Sequence, residues 1–155
     1  MGEIKERILG LDFGSKTVGV AVSDPVISEP SCVETIWRDR PGMLKATVRR
    51  VIELADEYKV GLIVVGYPLS MSGEVSDRCR QTDAFISMLV NKIGIPIVRV
   101  DERLSTFEAD DILKERGIRK ENRKAVIDQI AACIIIKDYL NNKDRYDRDG
   151  KDQIF

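Results

Sequence analysis

The chain has no histidine, which removes Ser-His and Cys-His nucleophile pairs and His-ligated zinc from the chemistries open to it. Its three cysteines, Cys32, Cys79 and Cys133, are odd in number, widely spaced and form no C-x-x-C. Neither a disulfide framework nor a zinc site is indicated, and a reducing compartment fits. Long apolar runs are missing too: the longest, from Ile130 to Ile136, is too short to span a bilayer, and the segment Met1 to Arg7 has no apolar h-region. The expectation is a cytoplasmic protein without membrane association. An excess of one charge is also absent. With 25 basic against 26 acidic residues the net charge is −1, which counts against a general nucleic-acid coating protein, whose affinity comes from neutralised phosphates. Within those limits stand 155 residues, 43% hydrophobic and 33% charged, enough for one soluble domain with a real core. Any metal here would be bound by oxygens.

The segment Arg7 to Pro25 drives one carboxylate, Asp12, into an apolar strand, where a charge is costly unless a cation compensates it. Apolar runs over 7–13 and 18–23 flank Gly14-Ser15-Lys16-Thr17 and predict a hairpin. A third strand is expected over 33–37. Pro41-Gly42 then opens a helix whose apolar residues recur at helical spacing to Tyr58, ending near Gly61. A strand over 62–65, stopped by Gly66-Tyr67-Pro68, precedes a helix carrying Phe85, Met88 and Leu89. A strand over 97–100 leads into Asp101-Glu102-Arg103, followed by a short helix from a capping box at Ser105 to Gly117. The basic segment 114–124 reads as a linker, and a last helix runs over about 122–140. These elements predict one α/β domain over 1–142, a three-layer fold with helices on a mixed five-stranded sheet, and a charged, frayed tail over 143–155. A second basic cluster comprises Arg38, Arg40, Lys45, Arg49 and Arg50. On general grounds both clusters read more readily as solvated surface than as a binding site.

Three acids stand out. Asp12 and the Asp101-Glu102 pair sit at strand ends, where open α/β sheets form sites. Asp128 lies on a helix face otherwise made of Ala131, Ala132 and Ile135, suited to close packing on a sheet. Each alone has an ordinary explanation: a turn acid, a surface charge, an acid favoured by the helix dipole. Together, three carboxylates without a cation would repel and raise one another's pKa.

Four motifs in order, Asp12-Phe13-Gly14-Ser15-Lys16-Thr17 continuing to Asp24, Val65-Gly66-Tyr67-Pro68 with Gly73, Asp101 to Thr106, and Asp128 to Ala132 followed by Tyr139-Leu140, resemble the YqgF or RuvX family. Its members are pre-16S rRNA nucleases and Holliday-junction-resolvase-like proteins. The likeness spans about residues 7–140. It implies a ribonuclease H-like fold with helices on both faces of the sheet, and a divalent-metal nuclease site in which Asp12, Glu102 and Asp128 form the acidic triad. By the same likeness Lys16 and Arg103 are phosphate contacts. Tyr67 departs from the family pattern, which more often has a small or aliphatic residue there.

That chemistry suits the groups available. Oxygen ligands favour Mg²⁺ or Mn²⁺, and a pair of such ions can activate water and stabilise the leaving oxygen, with Asp12 shared and Glu102 and Asp128 holding one each. Gly14 would let backbone approach the substrate phosphate. The expected partner is nucleic acid, precursor rRNA ahead of branched DNA, with the protein a monomer or homodimer. Two other classes stay open: an ATP-binding module of the actin-like type, against which the single-domain length argues, and a non-catalytic RNA-binding module of the same fold.

Overall fold

The computed structural model describes residues 7–24, 29–68, 76–101, 114–115, 117 and 120–143. In chain order the elements are β1 (Arg7–Phe13), β2 (Thr17–Ser23), β3 (Pro30–Trp37), α1 (Lys45–Glu57), β4 (Val60–Tyr67), α2 (Asp77–Val90), β5 (Ile97–Asp101) and α3 (Lys120–Asn141). The strands form one sheet in the order β3-β2-β1-β4-β5. β1, β2 and β3 pair antiparallel, while β4 lies parallel to both β1 and β5, so the sheet is mixed as expected.

Strand alternation divides the core in two. Leu9, Leu11 and Phe13 of β1 join Val48, Val51 and Leu54 of α1 and Phe85, Ile86 and Leu89 of α2 in one apolar cluster. Ile8 on the other face joins Val64, Val98 and Val100 under Ala132, Ile135 and Ile136 of α3. Helices therefore cover both faces, giving the three-layer α/β fold.

Several element ends differ from the sequence expectation, each for a local reason. Pro41-Gly42 belongs to a turn, with Met43 N–H on the Arg40 carbonyl at 3.0 Å and Leu44 N–H on the Gly42 carbonyl at 3.1 Å, and α1 begins only at Lys45. β3 starts at Pro30 because its pairing with β2 extends to Ser23, and an edge strand tolerates proline. β4 continues through Tyr67, held by pairing with Asp101 of β5. α3 starts at Lys120, inside the basic segment expected to be a linker, since Lys, Glu and Arg are good helix formers. The short helix predicted from Ser105 and the tail beyond Lys143 lie outside the described residues.

Between Val20 and Ala21 of β2 the partners jump from Glu34 to Cys32, so Val33 is an extra residue in β3. A bulge of this kind resets which way the strand's side chains face. Glu34 consequently meets Arg50 of α1 at 2.6 Å, whereas Cys32 and Thr35 meet Cys133 and Gln129 of α3.

Candidate functional site

The sheet carries a floor of small residues under α3. Alternation turns Gly10 and Asp12 of β1 to that side, and Asp12 is the cross-strand partner of Gly19. A Cβ placed on Gly19 would fall 1.9 Å from the Asp128 carbonyl oxygen, and one on Gly10 would fall 2.8 Å from the Ala132 carbonyl oxygen. The α3 backbone thus rests directly on β2 and β1. Asp128, Ala132 and Ile136 follow at intervals of four, so the helix row that touches Gly19 through Asp128 touches Gly10 one turn later. Because Asp12 is beside Gly19, this docking brings Asp128 next to Asp12.

Both carboxylates are half-buried. The Asp12 carboxyl is pushed up to about 7, first by burial and then by the negative charge of Asp128, with the Arg78 cation acting in the opposite direction. Arg78, in the first turn of α2, donates through Nη2 to the Phe13 carbonyl at 3.3 Å, which anchors it at the end of β1. Thr17 is buried and donates from Oγ1 to Asp128 Oδ2 at 2.6 Å, orienting that carboxylate. Two acids are therefore held together at the carboxyl end of β1, and one arginine only partly offsets their repulsion.

Gly14 N–H donates to the Thr17 carbonyl at 2.7 Å, closing the hairpin loop. A Cβ there would sit 3.3 Å from Thr17 Oγ1, the atom that bonds Asp128, so glycine keeps that hydroxyl unobstructed. Lys16 is exposed at the tip of the same loop. Glu102 and Arg103 lie outside the described residues, and among the described residues no group of three potential metal-ligating side chains is assembled. Asp101 pairs with Tyr67 and shares the sheet face of Arg99, whose Nη1 reaches Asp83 of α2 at 3.1 Å. Asp101 accordingly belongs to the face opposite Asp12.

The basic cluster at 38–50 does not form one surface. Arg38 is buried, stacks its guanidinium 4.5 Å from the Phe13 ring centroid and donates to the Gly14 carbonyl; burial lowers its pKa. Arg50 is paired with Glu34 and Glu53. Lys45 and Arg49 line a cleft of about 900 Å³ with Val60 and Ile95, at the start of β4 and before β5, the end of the sheet remote from Asp12. Arg119 and the side chains of Lys120 and Lys124, from the other basic segment, lie outside the described residues. Tyr67 donates to Asp83 at 2.8 Å and carries the Arg99 guanidinium 4.9 Å from its ring centroid, so one of its faces is occupied. Burial, followed by the Asp83 contact, pushes its hydroxyl up to about 12.

Sequence reasoning brought Asp12 and Asp128 to notice but missed Thr17 and Arg78. Thr17 was in view, since it closes the loop motif after Asp12. Arg78 had no signal, being one of many arginines until α2 docks.

A model of the RuvX family, described as Holliday junction resolvase, matches residues 6–142. The chain belongs to the RuvX family. A relative from Agathobacter rectalis, named "Putative pre-16S rRNA nuclease", is 48% identical over 87% of this chain and 94% of its own length. Another of the same name from Lachnospira eligens is 45% identical over 90% of this chain and 99% of its own. Among solved structures, Thermus thermophilus RuvC in complex with Holliday junction substrate superposes with a TM-score of 0.59 at 11% identity, covering 90% of this chain and 96% of that one. At that identity the likeness speaks for the fold: this RuvX chain shares the ribonuclease H-like architecture of RuvC.

Proposed function

We propose that this RuvX protein is a cytoplasmic, divalent-cation-dependent endonuclease that hydrolyses phosphodiester bonds of precursor 16S rRNA at the site built on Asp12 and Asp128. The observation that carries the reading is the pairing of these carboxylates, with Asp12 raised to about 7 by burial and by its neighbour. Such a pair is unfavourable by itself, and a bound cation would offset the repulsion. An all-oxygen donor set fits Mg²⁺ or Mn²⁺. Family membership and the nuclease names of the relatives support the same activity class.

Asp12, Asp128 and Glu102 would hold the cation. Glu102 is the third ligand that the family motif implies, and Asp101 is set aside because it shares the sheet face of Arg99, opposite Asp12. When bound, the cation supplies Lewis-acid activation of water and neutralises charge that develops on the phosphate. Thr17 fixes the Asp128 carboxylate, which limits the reorganisation needed as substrate enters. Lys16 and Arg103, with the Gly14 backbone, contact substrate phosphates, Lys16 as a point charge and Arg103 as a fork.

Cleavage of a precursor 16S rRNA transcript in Mg²⁺ or Mn²⁺ is the test, with a four-way DNA junction alongside. Wild-type protein should cut the transcript, chelation should stop it, and Asp12→Asn, Glu102→Gln and Asp128→Asn should each lower the rate by at least about 100-fold. Equal cleavage by wild type and all three variants would sink the proposal. The family description favours branched DNA as a second substrate class, and preferential cutting of the junction would move the assignment there.

A further inference from the structure

The chain has one tryptophan, Trp37, and the residue is 58% exposed. Single exposed apolar residues are ordinary; position distinguishes this one. The other large hydrophobic exposed among the described residues, Met43, lies on the connection from β3 to α1 that follows Trp37. Trp37 is the cross-strand partner of Thr17, the residue that orients Asp128. The bulge at Val33 puts Thr35 on the α3 side, where it accepts from Gln129 at 3.0 Å, and alternation puts Trp37 there too. Trp37 therefore stands on the sheet face of Asp12 and Asp128. Two strand spacings and two residues of rise separate its backbone from Asp12, about 12 Å. Lys16, which precedes the Trp37 partner Thr17, and Arg40, three residues after Trp37, are both exposed, and the Lys16 carbonyl accepts from Arg38 N–H at 2.7 Å, tying the loop to the end of β3. An exposed π-face next to a cationic loop and on the sheet face of a carboxylate pair is the combination that holds a single strand, with phosphates on the basic side chains and a nucleobase on the ring.

Resting on the nuclease reading above, we propose that the Trp37 indole is a stacking platform for an unpaired nucleobase of the substrate strand, flanking the bond cut at the Asp12 and Asp128 site. Base stacking on an aromatic ring tolerates any base, so Trp37 selects for an unpaired nucleotide rather than for sequence. A base-paired duplex keeps its bases inside the stack and cannot use it.

The lone indole reports directly. Chelated wild-type protein is titrated with a short single-stranded RNA and with its duplex, reading tryptophan emission together with the anisotropy of dye-labelled RNA; cleavage is measured separately in Mg²⁺. Emission should be quenched along the same curve as the anisotropy rises, more by the single strand than by the duplex. Trp37→Ala should weaken single-strand binding by about 5- to 100-fold while Trp37→Phe retains most of it, without change in thermal midpoint for either. Saturable binding with unquenched emission and unchanged affinity in Trp37→Ala would overturn the inference and leave the nuclease reading intact. Quenched binding without cleavage in Mg²⁺ would support Trp37 and overturn the nuclease reading, whereas no binding of either RNA would overturn both.

Discussion

On one face of the sheet, Leu9, Leu11 and Phe13 of β1 meet bulky residues of α1 and α2; on the other, the same strand turns Gly10 and Asp12 toward α3. The first face is close-packed with large side chains, and Phe13 stacks on Phe85 at 4.7 Å between ring centroids. The second replaces side chain with backbone, letting helix and strands approach until a single added carbon would collide. Bulk on the first face is what stabilises the domain. Thinness on the second is what delivers Asp128 to Asp12, at a cost the first face must offset. Stability and site are thus divided between two sides of one strand.

The largest effect expected from breaking this division is on the packed face. Phe85→Ala should destabilise the domain by about 3–5 kcal/mol in urea unfolding, while cleavage per folded molecule stays near wild type. A comparable loss of activity in the folded fraction would mean that the two faces are not separable.

The next concerns Asp12 in metal-free protein. An unfolded aspartate titrates near pH 4, and folded Asp12 near 7, so between those values the folded chain holds a proton that the unfolded chain has released. Stability should therefore fall as pH rises through that window, by up to about 4 kcal/mol, and level off above it. Asp12→Asn should lack this slope and be more stable than wild type at pH 8, although inactive. Parallel urea midpoints for the two proteins from pH 4 to 8 would show that Asp12 carries no such penalty.

Gly19→Ala tests the thin face itself. Its Cβ meets backbone atoms of Asp128, which cannot rotate aside, so α3 must lift. We expect a loss of about 2–3 kcal/mol and, in contrast to Phe85→Ala, loss of cleavage in the molecules that remain folded. Full activity would show that the site tolerates displacement of α3. The smallest effect is expected of Thr17→Val, which keeps shape and removes the donor to Asp128: about 1 kcal/mol of stability and a roughly 5-fold drop in cleavage rate. An unchanged rate would make the hydroxyl a folding contact alone.

Much of this division could be read along the chain. The hairpin strands, the helical spacing of Val48, Val51 and Ala55, and the small face of α3 around Ala131 and Ala132 are local patterns; β1 and α2 formed where those patterns indicated, and α1 formed within the expected span, with a turn in place of its first residues. The basic cluster at 38–50 misled because one-dimensional density says nothing of direction. Arg38 turned inward onto Phe13, and Arg50 found Glu34 only because a bulge reversed β3. Arg78 was invisible because its role depends on where α2 comes to rest.

By itself, the sequence determined that this is an α/β domain of the RuvX family, and that histidine has no part in its chemistry, since residue types and periodicities are properties of the chain. Only the tertiary structure decided that Asp12 and Asp128 meet, that Thr17 rather than solvent holds the second, and that Asp101 faces away. Those outcomes depend on strand register and on how closely a helix can approach a sheet, and two glycines set that distance.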